Sequence, residues 1–199
     1  MKKKNLEIIK QTQNSHLNMY LVKDKDMEKY YQFASRKPKI EDLALNFKNI
    51  KSDAVRILPW FIKDNEIYVV LIEEYRIAVD KYLLGLPAGL IEENEDVSFS
   101  AKRELEEETG YIIKRVIKKD GPFFTSPGLS DESIITVEAE VEVTPVSQHL
   151  DPSERINVRV IKYNEILDII NSSPNIGYQS KLLLEAFYYK NINKKPENF

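Results

Sequence analysis

The chain has 199 residues, 42% of them hydrophobic and 31% charged, with a formal net charge of −3. That length predicts one domain, or one domain with a small appendage, large enough to bury a core. There is no cysteine, which excludes disulfides and thiolate metal sites and fits the cytoplasm; no apolar run reaches the ~18 residues of a membrane span.

The segment from Asn5 to Asn14, behind the basic residues 1–4, is too polar for a signal-peptide core. Residues 6–12 alternate weakly and suggest a strand. Residues 18–23 and 29–35 are strand-like and are joined by the polar turn Asp24-Lys25-Asp26. Together they predict a small antiparallel sheet at the amino end. Residues 35–53 read as the passage into the main domain. Residues 55–62 and 67–75 are apolar and β-branched, separated by Lys63-Asp64-Asn65-Glu66, which predicts a hairpin feeding a buried sheet. A short apolar run occupies 82–88.

Further strands are expected over 111–117, 134–143 and 158–163. Asn164 is placed to cap a helix running through Ile170. A last helix over 180–189 turns Leu183, Leu184, Phe187 and Tyr188 inward, and the polar tail after Lys190 should fray. Trp60, inside an apolar strand, reads as core. The isolated His16 and His149 have no partner spacing that suggests a metal site or a nucleophilic relay. Strands mixed with few interspersed helices predict an α+β fold or an α/β/α sandwich.

The charge is concentrated. Residues 92–108 hold eight acids and two bases, leaving the remaining chain mildly basic. No Lys/Arg stripe with interleaved aromatics occurs, so a nucleic-acid partner is not expected, and neither is a membrane. Within this stretch Asp96 can cap a helix and Gly110 can end it in the left-handed conformation. On that helix Glu104, Glu107 and Glu108 stand at i, i+3 and i+4, so their carboxylates share one face. Like charges so placed repel and call for a cation. Hard divalent ions take oxygen ligands and favour sites completed by phosphates, so Mg²⁺, or Mn²⁺, with a phosphorylated substrate is the expectation. Read without the spacing, a glutamate-rich helix is a solvated face.

The spacing is specific. Gly89, five residues, Glu95, seven residues, then Arg103-Glu104-Leu105-x-Glu107-Glu108-x-Gly110 resembles the box of the Nudix hydrolases at all eight fixed positions. Tyr111 stands where an aliphatic residue is usual. The resemblance covers roughly residues 53–163. Leu86-Pro87-Ala88-Gly89-Leu90-Ile91-Glu92 and the downstream Ser126-Pro127-Gly128 resemble the ADP-ribose pyrophosphatase branch. Phe33-Ala34-Ser35-Arg36-Lys37 and Glu74-Tyr75-Arg76 are also similar to its members.

The resemblance implies a Nudix α/β/α sandwich with a small N-terminal antiparallel sheet. It divides the chain into an N-terminal β-sheet subdomain over 1–50 and a Nudix hydrolase domain over 51–199. It further implies a homodimer in which the amino-terminal sheets exchange. By position, Glu104 and Glu108 match the main metal ligands, and the Ala88 carbonyl matches a backbone ligand. Glu107 matches a residue that assists the metal or bonds the box arginine, here Arg103. Glu95 matches a position that orders the loop and helix. Arg36 and Arg76 match substrate-contacting arginines, for which bidentate geometry suits phosphate; each alone reads equally as a surface ion pair.

The implied activity is Mg²⁺-dependent hydrolysis of ADP-ribose to AMP and ribose 5-phosphate. Glu132, in the Ser126-Pro127-Gly128 loop, is the first candidate for the base that activates water, and Glu154 is the alternative. Tyr31 is a candidate to stack the adenine, and Gly128 and Leu129 to shape the ribose pocket. A pyrophosphatase for another nucleotide sugar or dinucleotide, such as ADP-glucose or GDP-mannose, fits the same box. From a different class, a non-catalytic ADP-ribose-sensing module remains open, although no basic helix-turn-helix follows residue 163.

Overall fold

The structure is a computed structural model that describes residues 5–46, 51–142 and 147–199. The predicted passage over 35–53 therefore has 47–50 outside the described residues, and the strand expected over 134–143 has its last residue outside them. The chain forms two compact units, Met1–Ala54 with Gly121–Ile135, and Val55–Asp120 with Thr136–Phe199.

The first unit holds β1 (Leu6–Lys10), β2 (Asn18–Asp24) and β3 (Lys29–Ser35), an antiparallel sheet in that order. Strand β2 alternates as its sequence does. Asn18, Tyr20 and Val22 point inward and are buried. The Tyr20 hydroxyl donates to the Lys37 carbonyl at 2.7 Å, which gives a buried phenol its partner. At the β2–β3 turn Asp24 Oδ1 accepts from Asp26 N and Met27 N, so the side chain replaces backbone bonding there. Two short 3₁₀ turns, Ile40–Asp42 and Ala44–Asn46, follow β3. The 121–135 segment joins this unit through Ala34 N to Leu129 O (2.8 Å) and Asp53 N to Ser133 O (2.9 Å).

The second unit holds all or most of β4 (Ala54–Lys63), β5 (Glu66–Arg76), β6 (Lys81–Gly85), β7 (Ala88–Leu90), β8 (Ile112–Phe124), β9 (Ser133–Glu142) and β10 (Ile156–Lys162). The strand order is β10-β5-β4-β9-β8, with β6 paired to β5 and β7 to β4. Asp64 and Asn65 at the β4–β5 turn both take positive φ, as a two-residue hairpin matched to strand twist requires. From Val69 to Ile72 every β5 residue is buried, so this strand is covered on both faces. Val69 and Leu71 pack in one cluster with Trp60 and with residues of two helices, α2 (Ile166–Ser172) and α3 (Tyr178–Asn191). Alternation puts Val70, Ile72 and Glu74 on the other face. A further helix, α1 (Val97–Thr109), packs against β7 and β10.

Two local expectations are corrected. Asn164 does not cap a helix: it lies inside the 3₁₀ turn Tyr163–Glu165, and Glu165 instead accepts from Lys162 N at 2.9 Å. A glutamate, one methylene longer than asparagine, reaches back over the tight turn. The tail does not simply fray either, because the terminal Phe199 packs edge-on against Trp60, Tyr163 and Phe187. Burying an aromatic ring offsets the ordering cost of the polar residues before it.

Candidate active site

The acidic helix forms where its signals stand. Asp96 Oδ1 accepts from Ser98 N (2.7 Å) and Phe99 N (3.0 Å), occupying two of the N–H groups that a helix start leaves unpaired. Gly110 closes the other end at φ 74°, its N–H bonded to Glu106 O. Buried Ala101 and Leu105 fix the inner face, and that fixes where the glutamates one turn later point.

Arg103 gathers the box. Its Nε and Nη2 donate to Glu95 (2.8 and 2.9 Å), and its Nη1 to Glu104 (2.9 Å) and Glu107 (3.0 Å). A further bond runs from Nη2 to the Leu90 carbonyl at 3.0 Å. Five N–H groups in a planar fork allow this; a lysine ammonium has three donors. Glu95 also accepts from Ser100 Oγ and Glu92 N, tying the loop to the helix. These bonds, Arg103's first, hold the Glu95 carboxyl down to about 2.

Glu108 is different. It is 3% exposed, and its Oε2 accepts from Ala88 N at 3.0 Å. Burial first, then the charges of Glu104, Glu74 and Glu154, push its carboxyl up to about 9. Burial also raises Glu104, against the pull of Arg103. So a negative field that Arg103 offsets only in part converges on Glu108. Gly89 lies against this turn: a Cβ there would overlap the Glu104 carboxylate, so backbone and carboxylate approach as only glycine permits.

Glu74 is the member of this group that sequence reasoning missed. It lies near the end of β5, its side chain is 16% exposed, and burial raises its carboxyl despite an ion pair to Arg76 at 2.5 Å. Period-two alternation from Val70 through Ile72 is the signal that could have found it. Glu154, on the turn before β10, acts electrostatically on Glu74, Glu104 and Glu108 alike.

Among the described residues no three His, Asp or Glu side chains converge at metal-ligand distance; Glu104 and Glu107 each turn an oxygen to Arg103 Nη1 instead. The donor chemistry nevertheless suits a hard divalent cation. The donors are carboxyl oxygens, the most buried of them is driven toward its protonated form by burial and neighbouring carboxylates, and Gly89 lets the backbone and the Glu104 carboxylate meet closely.

The other predicted residues lie in the first unit. Arg36 Nε donates to Glu132 Oε1 at 2.9 Å, and Thr125 Oγ1 donates to Glu132 Oε2 at 2.9 Å, so both Glu132 oxygens are engaged. Tyr31 and Gly128 line a cavity of about 540 Å³ with Phe33, Leu45, Phe124 and Pro127. That is ligand-sized and largely apolar. Leu129 is exposed, and its carbonyl accepts from Ala34.

A NUDIX domain profile matches residues 51–179. The chain belongs to the Nudix family. Its Nudix box is thus the Arg103-centred turn described above. Among curated proteins it is 35% identical over 142 residues to a putative nudix hydrolase 2 of Caenorhabditis elegans, covering 68% of this chain and 64% of that one. It is 31% identical over 105 residues to an ADP-ribose pyrophosphatase of Bacillus subtilis, covering 52% and 56%. The chain spans less than two thirds of the length of either relative. A crystal structure of an ADP compounds hydrolase superposes with a TM-score of 0.69 over 98% of both chains at 21% identity, a likeness of fold.

Proposed function

We propose that this Nudix protein hydrolyses the diphosphate bridge of a nucleoside diphosphate sugar in a reaction that depends on Mg²⁺, or on Mn²⁺ in its place. ADP-ribose is the favoured substrate, with AMP and ribose 5-phosphate as products. The observation that carries the reading is Glu108: a buried carboxyl, crowded by Glu104 and Glu74, on a turn whose Glu104 carboxylate lies against the backbone as only a glycine at position 89 permits. The curated ADP-ribose pyrophosphatases support the substrate class.

In this reading Glu104, Glu108 and the Ala88 carbonyl hold the cation, with the partly exposed Glu107 at its edge. When bound, the cation neutralises the diphosphate and lowers the pKa of water. Arg36 and Arg76 hold phosphate oxygens, and Tyr31 stacks the base. Glu154 takes the proton from the attacking water. Its charge already acts on Glu104 and Glu108, whereas both Glu132 oxygens are occupied. Glu132 then serves by aiming Arg36. Residues 1–50 form the sheet subdomain of a cytoplasmic homodimer and 51–199 the hydrolase domain; the exposed Tyr30 on β3 supports a pairing surface there.

The test is a panel of ADP-ribose, ADP-glucose, GDP-mannose and dinucleotides, each with Mg²⁺, with Mn²⁺ and with excess EDTA. Cleavage of ADP-ribose that EDTA abolishes is expected. Full turnover in EDTA, or no cleavage of any member, overturns the reading. Sedimentation at micromolar concentration checks the dimer.

A further inference from the structure

We infer that Gln148 is a positioning residue: its side-chain amide ties the loop carrying Glu154 to the turn carrying Glu108. The inference rests on the hydrolase reading above. Gln148 Nε2 donates to the Glu108 carbonyl at 2.6 Å and to the Ile156 carbonyl at 3.3 Å. Both neighbours are acceptors, so the amide must present its nitrogen to them. The adjacent His149 N–H donates to the Glu107 carbonyl at 2.9 Å.

The last carbonyls of a helix have no partner within it. Gly110 N–H takes that of Glu106, and Gln148 and His149 take the next two. These are the carbonyls of two glutamates whose side chains form the site. Ile156, the other acceptor, opens β10 and lies opposite Glu74 on β5. One amide therefore joins the glutamate-bearing turn to the start of the strand that pairs with Glu74.

Between Gln148 and Ile156 the chain makes a self-bonded turn. Glu154 N donates to Asp151 O at 2.9 Å, and Asp151 N donates to Glu154 Oε2 at 3.0 Å. Asp151 Oδ1 accepts from Ser153 N and Oγ. The turn is thus rigid within itself but needs an anchor to hold its distance from α1. Gln148 supplies that anchor, closing the loop at Ile156 and fixing it to Glu108 in the same contact. A base displaced by about 1 Å loses much of its effect, because proton transfer and attack depend steeply on geometry.

The experiment compares wild type, Gln148→Met, which keeps length but removes both N–H donors, and Gln148→Arg, which restores donors. Steady-state hydrolysis is measured with saturating Mg²⁺, and amide hydrogen exchange is measured on the metal-free proteins. For Gln148→Met, kcat should fall about 10- to 100-fold with KM within about threefold, and Gln148→Arg should recover to within about fivefold of wild type. Exchange should rise over 150–156 and stay unchanged over 101–106. Unchanged kcat, a loss that arginine does not recover, or exchange rising equally along α1 overturns the proposal. A wild type that cleaves no nucleotide sugar defeats the hydrolase reading instead; the exchange comparison then decides alone, and unchanged protection over 150–156 overturns the anchor.

Discussion

Arg36 and Glu132, 96 positions apart, form an ion pair of 2.9 Å between Nε and Oε1. Thr125 Oγ1 holds the second carboxylate oxygen. A carboxylate bonded on both oxygens is poorly disposed to take a proton from water, and well disposed to fix a guanidinium. Glu132→Gln should therefore act mainly through KM, raising it about 10-fold for the loss of a charge-assisted bond, while kcat stays within about threefold. Glu154→Gln should lower kcat about 100- to 10,000-fold with little change in KM, as removal of a general base does. Parallel kinetics on the two variants decide between them; a larger kcat loss in Glu132→Gln would reverse the assignment.

Glu108→Gln should cut turnover by at least about 100-fold without unfolding the protein. The amide keeps an oxygen for Ala88 N–H and removes a buried carboxyl that three other glutamates repel. The melting temperature of the metal-free variant at pH 8 should equal or exceed that of wild type. A large fall would make Glu108 a structural residue rather than a ligand.

The metal-free protein should lose stability as pH rises from about 4.5 to about 9. In the unfolded chain the Glu108 carboxyl ionises near 4.5, whereas in the folded chain burial and neighbouring charge raise it to about 9. Between those values the folded state binds the extra proton, so stability falls with rising pH. Saturating Mg²⁺ should flatten this slope, since a cation replaces the proton. Thermal melts from pH 5 to 9, with EDTA and with Mg²⁺, check the sign; a metal-free slope that rises would contradict it.

Gly89→Ala should weaken Mn²⁺ binding at least about 10-fold with a fold intact by circular dichroism. The new methyl would occupy the space of the Glu104 carboxylate and force it aside. Titration of Mn²⁺ by electron paramagnetic resonance gives the readout without any turnover. Wild-type affinity in this variant would show that Gly89 is not part of the approach to the cation.

Much of this protein is local and therefore legible in its residues. The Asp96 and Gly110 caps, the Asp64-Asn65 turn and the one-turn grouping of Glu104, Glu107 and Glu108 depend on neighbours within a few positions, and periodicity records them. The Nudix fold and the box followed from that spacing. Tertiary structure decided what long-range pairing controls. It set Glu74 into the field of Glu108, gave Glu132 to Arg36, placed Gln148 under the end of α1, and brought Phe199 back to Trp60. In each case the partner lies tens of residues away, and its side chain alone carries no period or cap that names the contact. Burial then converted acidic composition into site chemistry, because a carboxylate taken out of water without a donor to hold its charge is pushed toward its protonated form.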